Sequence, residues 1–567
     1  MSIRKKVLAC GFLLLVFLAG FSVWYSPVLF KGYAPYKMTE IMPIAKNLSQ
    51  TGKFSMEDRQ SIFLPTSLIN EKGEIATSGN KLSARLYAAL FKVFGVLGPN
   101  QLVMFSAAIN SLSIAIFAFI VLSLFGFGMA GLFSAIYIFI PYNWESVYSL
   151  GTYEFSIFFI ALFFLFFLLG RGKRHEMAFL SISAIFLVLA SFSREVFFLL
   201  ISIIPAFFWF SGKKRHIIYF LAPIVLAISV FYLPSFFGKG GGNSYSSSFF
   251  AEMTEKQKFM DSTFYEHLYP DPYTYHFEKK EFLYGHKEKI DKMSFVEKLL
   301  QKKTMANLGI GNIGLIDRFL LGVVLLFTHL SRFFSLEIFG GTFPLMFSLM
   351  GLYAMKKKDK EFYKFSIYWL GGTMFLLSFV VLVSRSHLRD FNWLFPLLAS
   401  LGIIFLWDVI KDKLNISGKS GAVLLSAIPI IFIYHLVLVD HVVFGKVYDG
   451  NPSLTVEAYA DKIKEKNIGD EDVIAIGLNS KEEIVLSYLA DKSMVIFTPN
   501  TVKKLMEEKK LREIFDNFGV KYFLGYDDKL SLEISTSTKA ENIASKTIKV
   551  KQPAISPLKS LFMGLVR

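Results

Sequence analysis

The sequence is short of cysteine and of charged residues. Cys10 is the single cysteine among 567 residues, which excludes a disulfide within the chain and a zinc site built on cysteine. Charged residues make up 19% of the chain, whereas an ordinary soluble domain has about a quarter. Hydrophobic residues reach 53%, and the mean hydropathy is +0.46. This composition excludes a disordered chain, a collagen-like repeat and an ordinary cytosolic enzyme, and it indicates a polytopic membrane protein.

The charges that are present are mostly basic, with a formal net charge of +16. On a soluble protein such an excess indicates nucleic acid as a partner. On a membrane protein, lysine and arginine first of all set the topology. We therefore expect no nucleic-acid partner, and we expect the basic residues to gather on one side of the membrane.

Long apolar runs predict about eleven transmembrane helices, each near the length that a bilayer demands. The first run resembles a signal peptide, but no small-x-small cleavage site follows it, so an uncleaved span is the better interpretation. The runs cover 7–24, 102–125, 129–140, 155–169, 177–192, 196–210, 217–233, 343–355, 365–383, 394–410 and 422–439.

The basic loops between these runs predict the topology. With a cytoplasmic N-terminus, every short basic loop falls on the inner side, and the C-terminus falls outside. Another apolar run, 313–334, contains Asp317, Arg318, His329 and Arg332, and we interpret it as an interfacial helix on the outer side. The inner basic loops are 4–6, 171–174, 213–215, 356–360 and 411–413.

The predicted organisation is a transmembrane domain, 1–440, followed by a small extracytoplasmic α/β domain, 441–567. The transmembrane domain carries outer loops at 25–101, with two juxtamembrane helices, and at 234–311. In the tail, short apolar runs predict buried strands that alternate with amphipathic helices. The strands are expected at 473–477, 494–497 and 522–524, and the helices at 455–466, 481–490 and 502–518.

Four segments carry motifs of a known family. Ala45-Lys46-Asn47-Leu48 stands before Gly52-Lys53-Phe54 in the first loop, on an amphipathic helix that Gly52 can end. The others are 86–95, a second amphipathic segment ending in Phe-Gly, 190–195 (Ala-Ser-Phe-Ser-Arg-Glu) and 389–396 (Arg-Asp-Phe-Asn-Trp-Leu-Phe-Pro). In this order they resemble motifs of the GT-C superfamily of polytopic glycosyltransferases, of the ArnT and protein O-mannosyltransferase type.

The resemblance implies a glycosyltransferase in the inner or plasma membrane. Such an enzyme moves a sugar from a polyprenyl-phosphate donor to a lipid, glycan or protein acceptor at the outer face, with membrane lipid as a further partner. An outer-loop carboxylate beside lipid is desolvated, its pKa can rise, and it can act as the general base. The leaving phosphate needs fixed cations, preferably arginine. A divalent metal is left open, and no metal ligands are assigned.

Glu40 and Glu145 are the expected catalytic residues. The family's acid stands about three residues before the position of Glu40, where this chain has Lys37. Glu40 can therefore be the base, shifted by about one turn, or a helix N-terminal carboxylate. Glu145 lies among aromatic residues that can stack on a sugar or form the interfacial belt. Solvated loop carboxylates at Glu57, Asp58, Glu71 and Glu74 are lesser candidates.

The expected substrate and phosphate contacts are mainly cations that oppose the positive-inside pattern. The open alternatives are a helix N-terminal carboxylate for Glu154 and a structural ion pair for Arg194 with Glu195. For the late basic cluster, which consists of Arg385, His387 and Arg389, the alternative is contact with lipid headgroups. His435, Asp440 and His441 lack a fourth ligand, so no metal site is assigned to them. The expected residues are Arg85, Glu154, Arg194, Arg385, His387 and Arg389.

Two other functions compete with glycosyl transfer. A lipid-linked glycan transporter or flippase is disfavoured because the chain has no internal repeat and few charges within its spans. A non-catalytic membrane scaffold stays open because the acid of the first loop is displaced. An oligosaccharyltransferase would share the fold, but its Trp-Trp-Asp-Tyr-Gly-type signature is absent from this sequence.

Overall fold

The structure, a computed structural model, describes residues 3–31, 41–52, 68–69, 75–76, 81–141, 143, 147, 154–194, 197–198, 200–237, 314–380, 393–413, 427–438, 452–469, 472–478, 480–517 and 519–546. The chain forms two compact units. The helical unit consists of 1–28, 100–241 and 315–450, and the mixed unit consists of 29–99, 242–314 and 451–567.

The described elements, in chain order, are α1 (Ile3–Lys31), α2 (Ile41–Thr51), β1 (Leu68–Ile69), β2 (Ile75–Ala76), α3 (Lys81–Phe94), α4 (Pro99–Phe125), α5 (Phe127–Phe139), α6 (Glu154–Leu169), α7 (Glu176–Ser193), α8 (Leu200–Phe210), α9 (Lys214–Phe237), α10 (Leu315–Arg332), α11 (Leu336–Phe339), α12 (Thr342–Lys358), α13 (Lys360–Phe375), α14 (Leu394–Lys413), α15 (Ala427–Leu438), α16 (Pro452–Glu465), β3 (Val473–Ile476), α17 (Ser480–Ala490), β4 (Ser493–Ile496), α18 (Pro499–Glu507), α19 (Leu511–Asn517), β5 (Val520–Leu524), α20 (Asp528–Ser537) and β6 (Glu541–Ala544). A π-helical turn, Leu376–Val380, continues α13.

A helix lies at each of the eleven apolar runs named above. Four described helices are long and apolar enough to cross a membrane: Arg4–Tyr25, Pro99–Phe125, Glu176–Ser193 and Leu394–Lys413. Four shorter apolar helices are Phe127–Phe139, Glu154–Leu169, Leu200–Phe210 and Ala427–Leu438. The chain is therefore a helical, multi-pass membrane protein, and the total of eleven spans stays a prediction.

Helices α12 and α14 approach each other closely because glycines face each other. A Cβ on Gly351 would overlap the carbonyl oxygen of Leu398, and one on Gly402 would overlap that of Phe347. Small residues that bring helix backbones into contact are typical of packing in membranes, where van der Waals contact has to replace the hydrophobic effect.

Three of the predicted inner loops meet at one end of the helical unit. Arg171 pairs with Glu361 at 2.8 Å and with Asp359 at 3.3 Å, and Lys213 also pairs with Glu361. His216 lies 3.3 Å from Glu176. The positive-inside pattern requires these loops to share a side, and the contacts agree with that requirement.

Helix α10 is amphipathic. Its buried residues Leu321, Leu325 and His329 recur every four positions, whereas Leu315 and Ile316 are 87% and 75% exposed. A four-residue repeat places the buried residues along one face, as expected for a helix that packs by one side only. The predicted interfacial helix at 313–334 therefore exists, and its place relative to the membrane stays a prediction.

The mixed unit contains a four-stranded parallel sheet with the order β4-β3-β5-β6. The three apolar strands lie where the sequence predicts them, and β6 was not expected. The predicted helix 502–518 is wrong as a single element, because it is two helices, α18 and α19. Lys509 separates them with a φ of 58°. This left-handed residue ends α18 and turns the chain into α19.

The strand order reverses between β3 and β5, which is the position where open parallel sheets usually bind ligands. Here Tyr526 fills that position. Its ring is fully buried, its hydroxyl donates to the Phe497 carbonyl at 2.9 Å, and a Cβ on Gly477 would lie 2.8 Å from it. The sheet core closes over the usual ligand crevice at this point.

Candidate functional site

Three of the eight expected site residues lie within the part of the chain that the structure describes. They are Arg85, Glu154 and Arg194. The other five, Glu40, Glu145, Arg385, His387 and Arg389, lie outside the described residues, as do the lesser loop carboxylates.

Glu154 is the first residue of α6 and is completely buried in the helical unit. A carboxylate at this position benefits from the helix dipole, which agrees with the structural interpretation raised from the sequence. Complete burial nevertheless makes an ionised carboxylate expensive unless charge or hydrogen bonds compensate it.

Arg194 directly follows α7 and is 7% exposed. Its backbone N–H donates to the Ala190 carbonyl at 2.8 Å and ends the helix. Because α6 and α7 pack as an antiparallel hairpin joined by a short turn, the start of α6 and the end of α7 lie at the same end. The fold therefore places a buried carboxylate, Glu154, and a buried guanidinium, Arg194, at one end of one hairpin.

Trp393 stands just before α14 and four residues after Arg389. Its ring stacks on Phe117 with centroids 5.4 Å apart and lies 4.2 Å from the ring of Phe164. Phe164 follows Glu154 by ten residues along α6, which corresponds to about 15 Å of helix. Trp393 is therefore anchored about 15 Å along α6 from the end of the hairpin that carries Glu154.

Two described residues close to Glu145 in the sequence, Asn143 and Val147, are buried in the helical unit. Asn143 is 4% exposed and donates from its side chain to the Tyr137 carbonyl at 2.7 Å, and Val147 is fully buried. Ile138, which precedes Asn143 in the chain, accepts a hydrogen bond at its carbonyl from the indole N–H of Trp24, at 3.0 Å. The end of α1 that carries Trp24 is thus tied to the end of α5, after which Glu145 follows in the chain.

In the mixed unit, the first seven residues of α2, Ile41 through Asn47, are buried. Gly52, with a φ of 76°, ends the helix as the sequence predicts. Glu40 directly precedes Ile41, so its position in the chain is the N-terminal end of this buried helix. Arg85 is exposed on α3, which packs against α2.

Lys46, which stands in the first-loop motif, belongs to a cluster that the sequence does not predict. The ammonium of Lys46 lies 2.6 Å from the carboxylate of Asp491 and 5.5 Å from the ring centre of Tyr488. The hydroxyl of Tyr488 donates to the Leu97 carbonyl at 2.9 Å. The sequence could not predict this cluster, because the partners of Lys46 stand more than 440 residues later in the chain.

Among the residues that the structure describes, no three His, Cys, Asp or Glu side chains come together in a way that could hold a metal. His435 is in hydrogen-bond distance of the Gly340 carbonyl, at 2.8 Å, while Asp440 and His441 lie outside the described ranges.

No family model matches the chain, and no curated protein sequence matches it. Solved structures do resemble it. The oligosaccharyltransferase of Archaeoglobus fulgidus with a tethered acceptor peptide is 12% identical, with a TM-score of 0.52 over 92% of this chain and 69% of that one. The oligosaccharyltransferase AglB from the same organism, with an inhibitory peptide and a dolichol-phosphate, is 13% identical, with a TM-score of 0.51 over 92% of this chain and 70% of that one.

ArnT from Cupriavidus metallidurans in the apo state is 13% identical, with a TM-score of 0.47 over 86% of each chain. Both AglB and ArnT are GT-C membrane glycosyltransferases. At 12–13% identity the likeness to AglB concerns the fold alone, and it agrees with the motif resemblance found in the sequence. The chain therefore has the fold of AglB, which is itself a GT-C membrane glycosyltransferase.

Proposed function

We propose that the protein is a membrane glycosyltransferase that moves a sugar from a polyprenyl-phosphate donor to a lipid, glycan or protein acceptor at the outer membrane face. The observation that carries this proposal is the burial of Glu154 and Arg194 at one end of the α6–α7 hairpin in a GT-C fold. Buried ionisable residues in a membrane domain are expensive and usually mark a functional site.

In the proposed reaction, an acceptor hydroxyl or amine attacks the anomeric carbon of the donor sugar. The bond from that carbon to the phosphate oxygen breaks, and the electron pair leaves with the polyprenyl phosphate. A carboxylate takes the acceptor's proton, and we assign this role to Glu40 or Glu145. Such a base must be within hydrogen-bond reach of the proton it removes.

The leaving phosphate gains negative charge, so a fixed guanidinium stabilises the transition state more than the ground state. We assign this role first to Arg194, because its burial strengthens its interaction with an anion. Glu154, at the same end of the hairpin, is proposed to orient the acceptor. Exposed Arg85 is the weaker phosphate candidate.

The late basic cluster is proposed to join the same site. Because four residues separate Arg389 from Trp393, their Cα atoms are at most about 14 Å apart. Trp393 is anchored between Phe117 and Phe164 in the helical unit. That reach supports a phosphate contact from Arg389, with Arg385 and His387 on the same segment.

The likeness to solved enzymes supports the donor class. One AglB structure contains a dolichol-phosphate, and one ArnT structure contains undecaprenyl phosphate. Another AglB structure contains zinc and sulfate, which keeps a divalent metal open for this chain. We further propose that the N-terminus is cytoplasmic and that 441–567 is extracytoplasmic, as the positive-inside pattern predicts.

The test is transfer of labelled sugar by the purified full chain, supplied with polyprenyl-phosphate sugars and a membrane extract. Arg194→Ala should lower the rate about 100-fold, and loss of the true base should lower it by about 100-fold or more. Arg215→Ala is the matched control, because this exposed arginine lies in a predicted inner loop. If Glu40→Ala, Glu145→Ala and Arg389→Ala all transfer at the wild-type rate, the assigned site is wrong.

A further inference from the structure

Within the mixed unit, a buried lysine links the first loop to the C-terminal α/β domain. Lys46 stands on α2, and both its ion-pair partner, Asp491, and the aromatic ring below its ammonium, Tyr488, belong to the end of α17 and the turn that follows. The side chain of Lys46 is 6% exposed, whereas that of Asp491 is 69% exposed. The desolvation cost of the pair therefore falls on the lysine.

Because the lysine is buried and the aspartate is exposed, removal of the carboxylate should destabilise the fold around Lys46. A buried ammonium without its counter-charge is strongly destabilising, because neither water nor an anion then solvates it. The ring of Tyr488 adds a cation–π contact at 5.5 Å. The tyrosine itself is held, because its hydroxyl donates to the Leu97 carbonyl just beyond α3. Burial raises the pKa of Tyr488, so this hydroxyl stays a donor at neutral pH.

The contact is made by the amino edge of the parallel sheet. Helix α17 runs back from the end of β3, and Asp491 lies between α17 and the start of β4. Asp491 has a φ of 56°, a left-handed conformation that aspartate and asparagine tolerate better than other side chains. The turn therefore presents the carboxylate from a backbone conformation that few other residues would adopt.

We propose that the C-terminal α/β domain positions α2, and with it the segment that carries Glu40, through Tyr488 and Asp491 acting on Lys46. Lys46 is a positioning residue and not a catalytic one. The effect of Lys46 on sugar transfer rests on the proposed function, but the anchoring of α2 by Lys46 does not. The role would give the C-terminal domain a direct part in preparing the first loop.

The first measurement is hydrogen exchange of the full chain in lipid nanodiscs. Asp491→Asn keeps the left-handed turn and removes the charge, so the amides of 41–52 should exchange roughly tenfold faster while those of β3 and β5 stay unchanged. Glu465→Gln is the matched control, because it removes the partner of exposed Lys462. Unchanged exchange of 41–52 in Asp491→Asn would overturn the proposal.

Three further variants keep the test decisive if Asp491→Asn does not fold. Tyr488→Phe removes only the hydroxyl that bonds Leu97, and it should also speed exchange in 41–52. Lys46→Arg keeps the positive charge and should stay close to wild type, whereas Lys46→Met should not. Equal exchange in Lys46→Arg and Lys46→Met would mean that packing of the stem alone holds α2, which contradicts the proposal.

The second measurement is sugar transfer by the same variants. Asp491→Asn should lower kcat several-fold with little change in KM for the donor, and Lys46→Arg should restore most of what Lys46→Met loses. Faster exchange with wild-type transfer would overturn the positioning role. If the wild type transfers no sugar at all, the proposed function fails, and the exchange experiment still decides whether the domain anchors α2.

Discussion

The rings of Phe117 and Trp393 stack with an interplanar angle of 7° and centroids 5.4 Å apart. Phe117 lies in the middle of α4, and Trp393 closes the segment that contains Arg385, His387 and Arg389. Both rings are buried, at 1% and 2% exposure. The stack ties the chain after the late basic cluster to the interior of the helical unit.

Trp393→Ala is expected to lower the free energy of unfolding by about 3–5 kcal/mol, because it removes a large buried ring and leaves a cavity. Trp393→Phe keeps a stacking ring and should cost much less. Thermal unfolding of the purified full chain in detergent measures both. Wild-type stability of Trp393→Ala would contradict the anchoring role.

Gly351→Ala is expected to destabilise the helical unit by about 1–3 kcal/mol or more, because its Cβ would overlap the Leu398 carbonyl oxygen. Gly371→Ala is the matched control. It is another glycine within a helix, α13, but a Cβ there meets nothing within 4 Å. Thermal unfolding should separate the two variants, with Gly371→Ala neutral or slightly more stable than wild type. Equal effects would contradict the close packing of α12 and α14.

The carboxylate of Asp359 caps α13 and pairs with Arg171 at the end of the helical unit where the predicted inner loops meet. Burial alone would raise the pKa of Asp359, but the hydrogen bond from the backbone N–H of Phe362 and the side chain of Arg171 outweigh it. The pKa of Asp359 is therefore held below its ordinary value of 3.8.

A carboxylate with a lowered pKa contributes stability above its unfolded pKa and loses that stability as the pH falls through its folded pKa. Asp359→Asn keeps the capping oxygen and removes the charge. We expect its melting temperature to lie below that of wild type by a constant amount above about pH 5, and the difference to shrink below about pH 4. A difference that does not depend on pH would show that the charge of Asp359 contributes nothing.

Much of the local structure follows from the sequence. The periodicity of 41–48 and the glycine at 52 predict α2 and its end, because both signals act over one or two turns. The apolar runs predict β3, β4 and β5 for the same reason. Strand β6, Glu-Asn-Ile-Ala, was missed because an edge strand needs no continuous apolar run.

The long-range relationships could not be predicted. In the sequence, Lys46 is one lysine of a predicted amphipathic helix, and only the structure shows its contact with Asp491. Trp393 is likewise one aromatic residue near a predicted span, and only the structure shows its contacts with Phe117 and Phe164. Periodicity reports which face of an element is buried, but the partner of that face depends on the packing of distant segments.

We propose that this chain breaks the bond between the donor sugar and its phosphate and makes a new glycosidic bond to an acceptor. The most direct measurement uses the full chain in vesicles, with a polyprenyl-phosphate sugar labelled in both sugar and lipid, and with a membrane extract as acceptor. The account predicts free polyprenyl phosphate and newly bound sugar in equal amounts, both lost in Arg194→Ala and retained in Arg215→Ala. Movement of intact donor between the membrane faces, with no new glycosidic bond, would contradict it.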